Sequence, residues 1–137
     1  MQEIAENCVK QRDFLAERNI EFIIFIAPNK ERIYSEDMPD RFETPADNYR
    51  VLQIVNYLKE NTDLRVVYPY EELMSVKEYL DDNIYYKTDT HWNQIGGYVG
   101  AAALLKELGI NMPSIEDDRI HITKINNREG DLASMLH

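Results

Sequence analysis

The chain has a single cysteine, Cys8, so no intramolecular disulfide can form. One thiol and three scattered histidines (His91, His121, His137) offer no zinc-module spacing. The longest apolar run, Phe22 to Ala27, is far short of the roughly 18–20 residues that span a bilayer. The N-terminus lacks both the basic region and the apolar region of a signal peptide. Basic residues are also scarce: 15 against 25 acidic ones give a net charge of −10, which repels nucleic-acid phosphates and anionic lipid. Phosphate loops of the Gly-x-Gly-x-x-Gly or Walker A type are missing. None of Ser35, Ser75, Ser114 and Ser134 sits in a Gly-x-Ser-x-Gly or Gly-Asp-Ser context. What remains is one domain-sized acidic chain of 137 residues, large enough for its own core.

Hydrophobic periodicity predicts an α/β order. Met1, Ile4, Ala5, Cys8, Val9, Leu15 and Ala16 follow helical spacing to about Arg18. Ile20 to Ala27, β-branched, aromatic and stopped by Pro28, reads as a strand buried on both faces. Residues 28–44 read as an ordered loop or a short turn of helix. A second helix is expected after Thr44 as cap, with Pro45 at its first position and Asp47 three residues after the cap, carrying Val51, Ile54, Val55 and Leu58. Leu64 to Tyr68 completes a βαβ unit. A short helix follows Pro69, with Leu73, Val76 and Leu80 inward, and another runs from about Asn93 to a glycine stop at Gly109. Arg119 to Ile125 could form a third strand by its alternation of Ile120, Ile122 and Ile125 with polar residues, a period that slips at the end.

Chemistry concentrates in Tyr85-Tyr86-Lys87-Thr88-Asp89-Thr90-His91-Trp92-Asn93. In an extended segment Asp89 and His91 share a side and Thr90 points away. A carboxylate against imidazole Nδ1 fixes the tautomer and leaves the other nitrogen to act as a base. The competing reading makes Asp89 the cap of the following helix, with His91 packed under Trp92. Aromatic faces at Tyr86 and Trp92 suit a sugar or acyl group, although such residues are more often packing residues. Lys30 follows the first strand, at the end of the sheet where α/β proteins bind ligands, or is a solvated surface lysine. Gly96, Gly97 and Gly100 suit close helix packing. Asp-x-His also has metal-ligand spacing, which His121 or a carboxylate could complete, but so acidic a chain makes that signal weak.

Three segments together resemble one family. Tyr86-Lys87-Thr88-Asp89-Thr90-His91-Trp92-Asn93, followed by Gly96 or Gly97, is similar to the Asp-x-His-Trp signature of the SGNH-hydrolase-like domain of the alginate O-acetyltransferase family, the AlgX and AlgJ type. Ala27-Pro28-Asn29-Lys30, with Ile33-Tyr34 and Met38-Pro39, resembles its strand-loop segment, and Gly130-Asp131-Leu132-Ala133-Ser134-Met135-Leu136 its later Gly-Asp-Leu segment. The resemblance implies a flavodoxin-like (SGNH-hydrolase-like) three-layer α/β sandwich with a small, mainly parallel sheet. Residues 1–137 would be the N-terminal portion of a larger catalytic domain. It further implies an acetyltransferase or acetylesterase acting on polysaccharide, with Asp89 orienting, His91 as base and a serine nucleophile beyond residue 137.

Trp92, Tyr86 and Lys30 are the expected substrate-binding residues; no metal and no cofactor are expected. The resemblance also implies a polysaccharide acceptor, a membrane-bound O-acyltransferase partner and an extracytoplasmic location, with any anchor outside this chain. The rival from another class is a non-catalytic carbohydrate-binding or scaffolding module, which a buried His91 away from any cleft would favour, whereas an oriented Asp89 and His91 at a cleft mouth would favour the enzyme; a metal-dependent enzyme comes third. The i, i+2 spacing predicts an Asp89 carboxylate oxygen within about 3.5 Å of His91 Nδ1. Coordinates with the two side chains on opposite faces would remove the pair.

Overall fold

A computed structural model of the protein describes residues 1–39, 49–80, 82–124 and 130–135. In chain order the elements are α1 (Gln2–Ala16), β1 (Ile23–Phe25), α2 (Lys30–Ile33), a 3-10 turn (Ser35–Asp37), α3 (Arg50–Asn61), β2 (Arg65–Val67), α4 (Tyr70–Leu80), α5 (Gln94–Glu107) and α6 (Asp131–Ser134). They fall into two compact units, Met1–Ile26 with Met38–Tyr68, and Ala27–Asp37 with Pro69–His137.

The first unit holds the expected βαβ arrangement. Its strands are parallel, with Ile23 opposite Arg65, Ile24 opposite Val66 and Phe25 opposite Val67. The Ile26 N–H extends the ladder to the Val67 carbonyl at 3.0 Å. The core joins Ala5, Val55, Leu58, Leu64 and Val66, with Cys8, Val9, Phe22, Ile24, Val51 and Ile54 packed against it. The buried stripe of α1 is narrower than its periodicity suggests, since Met1 and Ile4 are exposed. That helix ends at Ala16 rather than Arg18, because Asn19 takes a left-handed conformation (φ +56°) and the Ile20 N–H reaches back to the Leu15 carbonyl at 3.0 Å. The expected cap at Thr44, Pro45 and Asp47 lies outside the described residues; within them α3 begins at Arg50, behind Tyr49.

In the second unit, Ile33, Leu73, Ile84, Tyr85 and Val99 form a separate core. Segment 28–37, which has no period in the sequence, is tied in by Ile33, which has 0 % exposure, and by Tyr34, whose hydroxyl accepts the Ile84 N–H at 2.9 Å. Helix α5 begins where expected: the Asn93 side chain accepts the N–H groups of Ile95 (2.9 Å) and Gly96 (3.1 Å). A Cβ at Gly96 would overlap the Ile84 carbonyl oxygen and Trp92 Cβ, so close packing does require glycine there, whereas one at Gly97 would make only an ordinary contact with the Trp92 ring. At the other end Gly109 has φ +78°, its N–H bonds the Lys106 carbonyl and that of Ile110 the Leu105 carbonyl.

The expected third strand does not form over residues 119–124, and Ile125 lies outside the described residues. A turn held by Asp117 occupies the start of this segment. Its carboxylate accepts the Arg119 backbone N–H at 3.0 Å and grips the guanidinium at 2.8 Å twice, while the Ile120 N–H bonds the Asp117 carbonyl, closing a turn where a ladder would need extended backbone. Among the described residues no helix is long and apolar enough to cross a membrane. Leu58, 2 % exposed, lies at the centre of the first core. Leu58→Ala should cost about 2–5 kcal/mol in urea unfolding, whereas Tyr79→Ala at an exposed position should stay within about 0.5 kcal/mol.

Candidate active site

The Asp-x-His segment lies on a tight loop of the second unit whose two ends are clamped. Tyr85 and Trp92 form an antiparallel bridge, the Tyr86 N–H bonds the His91 carbonyl at 3.2 Å, and the Asn93 N–H bonds the Ile84 carbonyl at 2.9 Å. Asn93 Nδ2 adds a bond to the Asn83 carbonyl at 2.5 Å. Below the loop, Tyr85 is 3 % exposed and donates its hydroxyl to the Pro28 carbonyl. Burial pushes its phenol up to about 12, so it stays a neutral packing residue. Trp92 is half-buried against the second core.

Between these clamps Asp89 and His91 meet. Asp89 Oδ1 lies 2.6 Å from His91 Nδ1, inside the expected distance. The cause differs from strand alternation, because residues 87–91 turn instead of extending. The same Oδ1 accepts the backbone N–H of His91 at 3.0 Å, the side-chain-to-backbone bond of an Asx turn, which brings the imidazole of residue i+2 onto the carboxylate of residue i. Asp89 is therefore not the cap of α5, a role that Asn93 fills.

The Asp89 side chain is 8 % exposed and that of His91 75 %, so the orienting carboxylate is buried and the imidazole is presented. The His91 backbone N–H holds the Asp89 carboxyl down at about 2, helped by the imidazole and the Asp131 amide, and these outweigh the opposing effect of burial. Asp89 is thus ionised throughout the neutral range. With Nδ1 turned to it, Nε2 is the imidazole nitrogen left for chemistry.

Two contributors were missed in the sequence. Asp131 accepts the Thr90 backbone N–H at 2.8 Å and the Thr90 hydroxyl at 2.5 Å, and its Oδ2 stands 3.7 Å from His91 Nδ1. Thr90, taken to point away, is therefore the link to a second carboxylate. Gly130 makes this approach possible: a Cβ there would overlap the Thr88 carbonyl and crowd Asp89 Cβ. The Thr88 carbonyl in turn accepts the N–H groups of Leu132 (3.1 Å) and Ala133 (3.3 Å). The Gly-Asp-Leu segment already stood out in the sequence, but nothing local tied it to residues 88–91. Asp89, His91 and Asp131 offer ligand atoms within 4.8 Å of one another, enough to hold a cation. On Nδ1 a cation would replace the proton shared with Asp89, so ligation and orientation are exclusive uses of that edge.

Tyr86 lines a cavity of about 510 Å³, shared with Lys87, Asn83, Gln94, Tyr98 and His121. Neither His91 nor Trp92 is among its lining residues. Lys30 departs from the substrate-binding expectation. Its ammonium donates to the backbone carbonyls of Tyr86 (2.6 Å), Lys87 (3.0 Å) and Asp89 (3.0 Å), which engages all three of its protons inside the protein.

The family of the chain follows from the whole sequence. Residues 1–137 match the model of the SGNH hydrolase-like domain, acetyltransferase AlgX, and the chain belongs to that family. No curated protein matches it. The O-acetyltransferase domain of Pseudomonas putida AlgJ has the same fold at 24 % identity with a TM-score of 0.68, covering 99 % of this chain and 50 % of that one. Bacillus cereus PatB1, solved alone and with a sulfonyl adduct, is 25 % identical, with TM-scores of 0.57 and 0.56 over 78 % of this chain. The chain spans about half of the AlgJ domain and 35–37 % of PatB1. The fold is SGNH hydrolase-like, with helices and a small parallel sheet, as expected.

The depressed Asp89 sets a pH dependence. A carboxylate whose folded value lies below its ordinary one contributes stability above about pH 4, and that stability is lost as the pH falls towards 2. Glu36, Asp82 and Asp117 are lowered by Lys77, Lys124 and Arg119 and act in the same direction. Asp89→Asn should therefore flatten part of the stability decline between pH 4 and 2 without abolishing it. Urea unfolding at stepped pH checks this, and an unchanged slope would contradict it.

Proposed function

We propose that this chain carries the acid–base half of a polysaccharide O-acetyltransferase or acetylesterase site. In this reading Asp89 orients and His91 is the general base, while the serine nucleophile comes from sequence beyond residue 137. The observation that carries it is the 2.6 Å contact of a buried Asp89 with an exposed His91, the arrangement of a base awaiting a hydroxyl. Of the two features that would favour the carbohydrate-binding or scaffolding module, burial of His91 is not met, while His91 is not among the residues lining the cavity of about 510 Å³. Membership of the AlgX acetyltransferase family supports acetyl transfer as the chemistry.

In the proposed reaction His91 Nε2 takes the serine proton as the hydroxyl attacks the acetyl carbonyl. The resulting imidazolium is stabilised by ionised Asp89 and returns its proton to the departing group. The acyl-serine is then released to a sugar hydroxyl, or to water in an esterase, by the same base working again. Tyr86, on the cavity wall, and the accessible part of Trp92 are the aromatic surfaces we place nearest the acceptor. A membrane-bound O-acyltransferase as acetyl donor and an extracytoplasmic location belong to the same proposal.

A protein extended through its native C-terminal sequence should hydrolyse a small acetyl ester slowly. His91→Ala or Asp89→Asn should lower that rate by about 10³–10⁴, while the 137-residue chain should be inert. Full activity after both substitutions would remove the pair from the mechanism. Activity of the short chain that vanishes with Ser134→Ala would place the nucleophile inside it.

A further inference from the structure

The loop that carries Asp89 and His91 is held by a cation from outside it. The bridge between Tyr85 and Trp92 closes the ends of the bend at residues 86–91, and within it the Tyr86 carbonyl accepts the Asp89 N–H at a long 3.4 Å. Buried or half-buried carbonyls need donors. Lys30 Nζ donates to the part-buried carbonyls of Tyr86 and Asp89 and to the exposed carbonyl of Lys87, across 56 to 59 residues of sequence. A bond from a charged donor is stronger than a neutral one, and three on one ammonium fix the carbonyls relative to each other. The third acceptor is the carbonyl of Asp89 itself, the residue whose carboxylate faces Nδ1. Lys30 begins α2, and that helix is anchored by fully buried Ile33. The ammonium is thereby tied to the core.

We propose that Lys30 is a positioning residue: by gathering the carbonyls of Tyr86, Lys87 and Asp89 it sets the bend that aims the Asp89 carboxylate at His91 Nδ1. It touches neither reactant. Its relevance to catalysis rests on the reading of Asp89 and His91 given above, but its effect on the pair is measurable without turnover. A lysine that merely added stability would leave the imidazole tautomer unchanged.

The test is the His91 tautomer, read by long-range ¹H–¹⁵N correlation in the 137-residue chain at a pH where the ring is neutral. Wild type should hold the proton on Nδ1. Lys30→Met should shift His91 at least several-fold towards the Nε2–H form, to the level of Asp89→Asn, with its circular dichroism retained. Lys30→Cys in a Cys8→Ser background, alkylated with 2-bromoethylamine, rebuilds an ammonium of nearly the same length and should restore the Nδ1 proton. If Lys30→Met does not fold, the comparison of unalkylated with alkylated Lys30→Cys makes the same measurement; failure of that chain to fold until the ammonium is rebuilt would overturn the specific role in favour of general stabilisation. A wild-type tautomer in folded Lys30→Met or folded unalkylated Lys30→Cys would also overturn the proposal. A wild-type chain that lacks the Nδ1 proton would instead overturn the reading of the pair.

Discussion

A buried carboxylate must be surrounded by donors or give up its charge, and the loop at residues 85–93 with its Gly130–Asp131 neighbour can be read from that requirement at Asp89. The charge is kept because the His91 backbone N–H, the imidazole and the Asp131 amide all address it. Each of these donors has its own support. The His91 N–H is available because the chain turns at residues 87–91, and the Asp131 amide comes close because residue 130 has no side chain to hold it off. Removing any one would leave charge uncompensated, which is why so short a loop is clamped at both ends and beneath.

Exposure divides the work within the pair. Burial of Asp89 strengthens its bond to Nδ1, since fewer waters compete for the carboxylate. Exposure of His91 leaves the far nitrogen open to a partner. The pair is therefore rigid where orientation matters and accessible where a proton would move, the combination that a general base needs. Asp131, whose backbone amide addresses Asp89 directly, also holds the Thr90 N–H and hydroxyl through its carboxylate.

Local signals were legible in the sequence and convergent ones were not. The β1–α3–β2 order, the start of α5 at Asn93 and its stop at Gly109 each depend on a few adjacent residues and are legible there, although β1 spans only Ile23–Phe25 of the expected Ile20–Ala27 and is partly rather than fully buried. The Asp89 and His91 contact was also anticipated, though through strand alternation, when an Asx turn produces it. Lys30 looked like a ligand-binding or surface lysine because its acceptors are backbone carbonyls 56 to 59 positions away, and every residue has such a carbonyl. Asp131 was hidden for the same reason. The expected strand at 119–124 shows the opposite failure: alternation of Ile120 and Ile122 was real, but a turn held by a single carboxylate, Asp117, occupies the start of the segment.

The central claim is that His91 offers Nε2 to a serine hydroxyl while Asp89 holds Nδ1. It is tested most directly by a crystal structure of the protein extended through its native C-terminal sequence. The account predicts a serine Oγ within about 3 Å of His91 Nε2, with the Asp89 contact to Nδ1 intact. A structure in which Nε2 faces only solvent or packing residues, or in which Asp89 has turned away from His91, would contradict it.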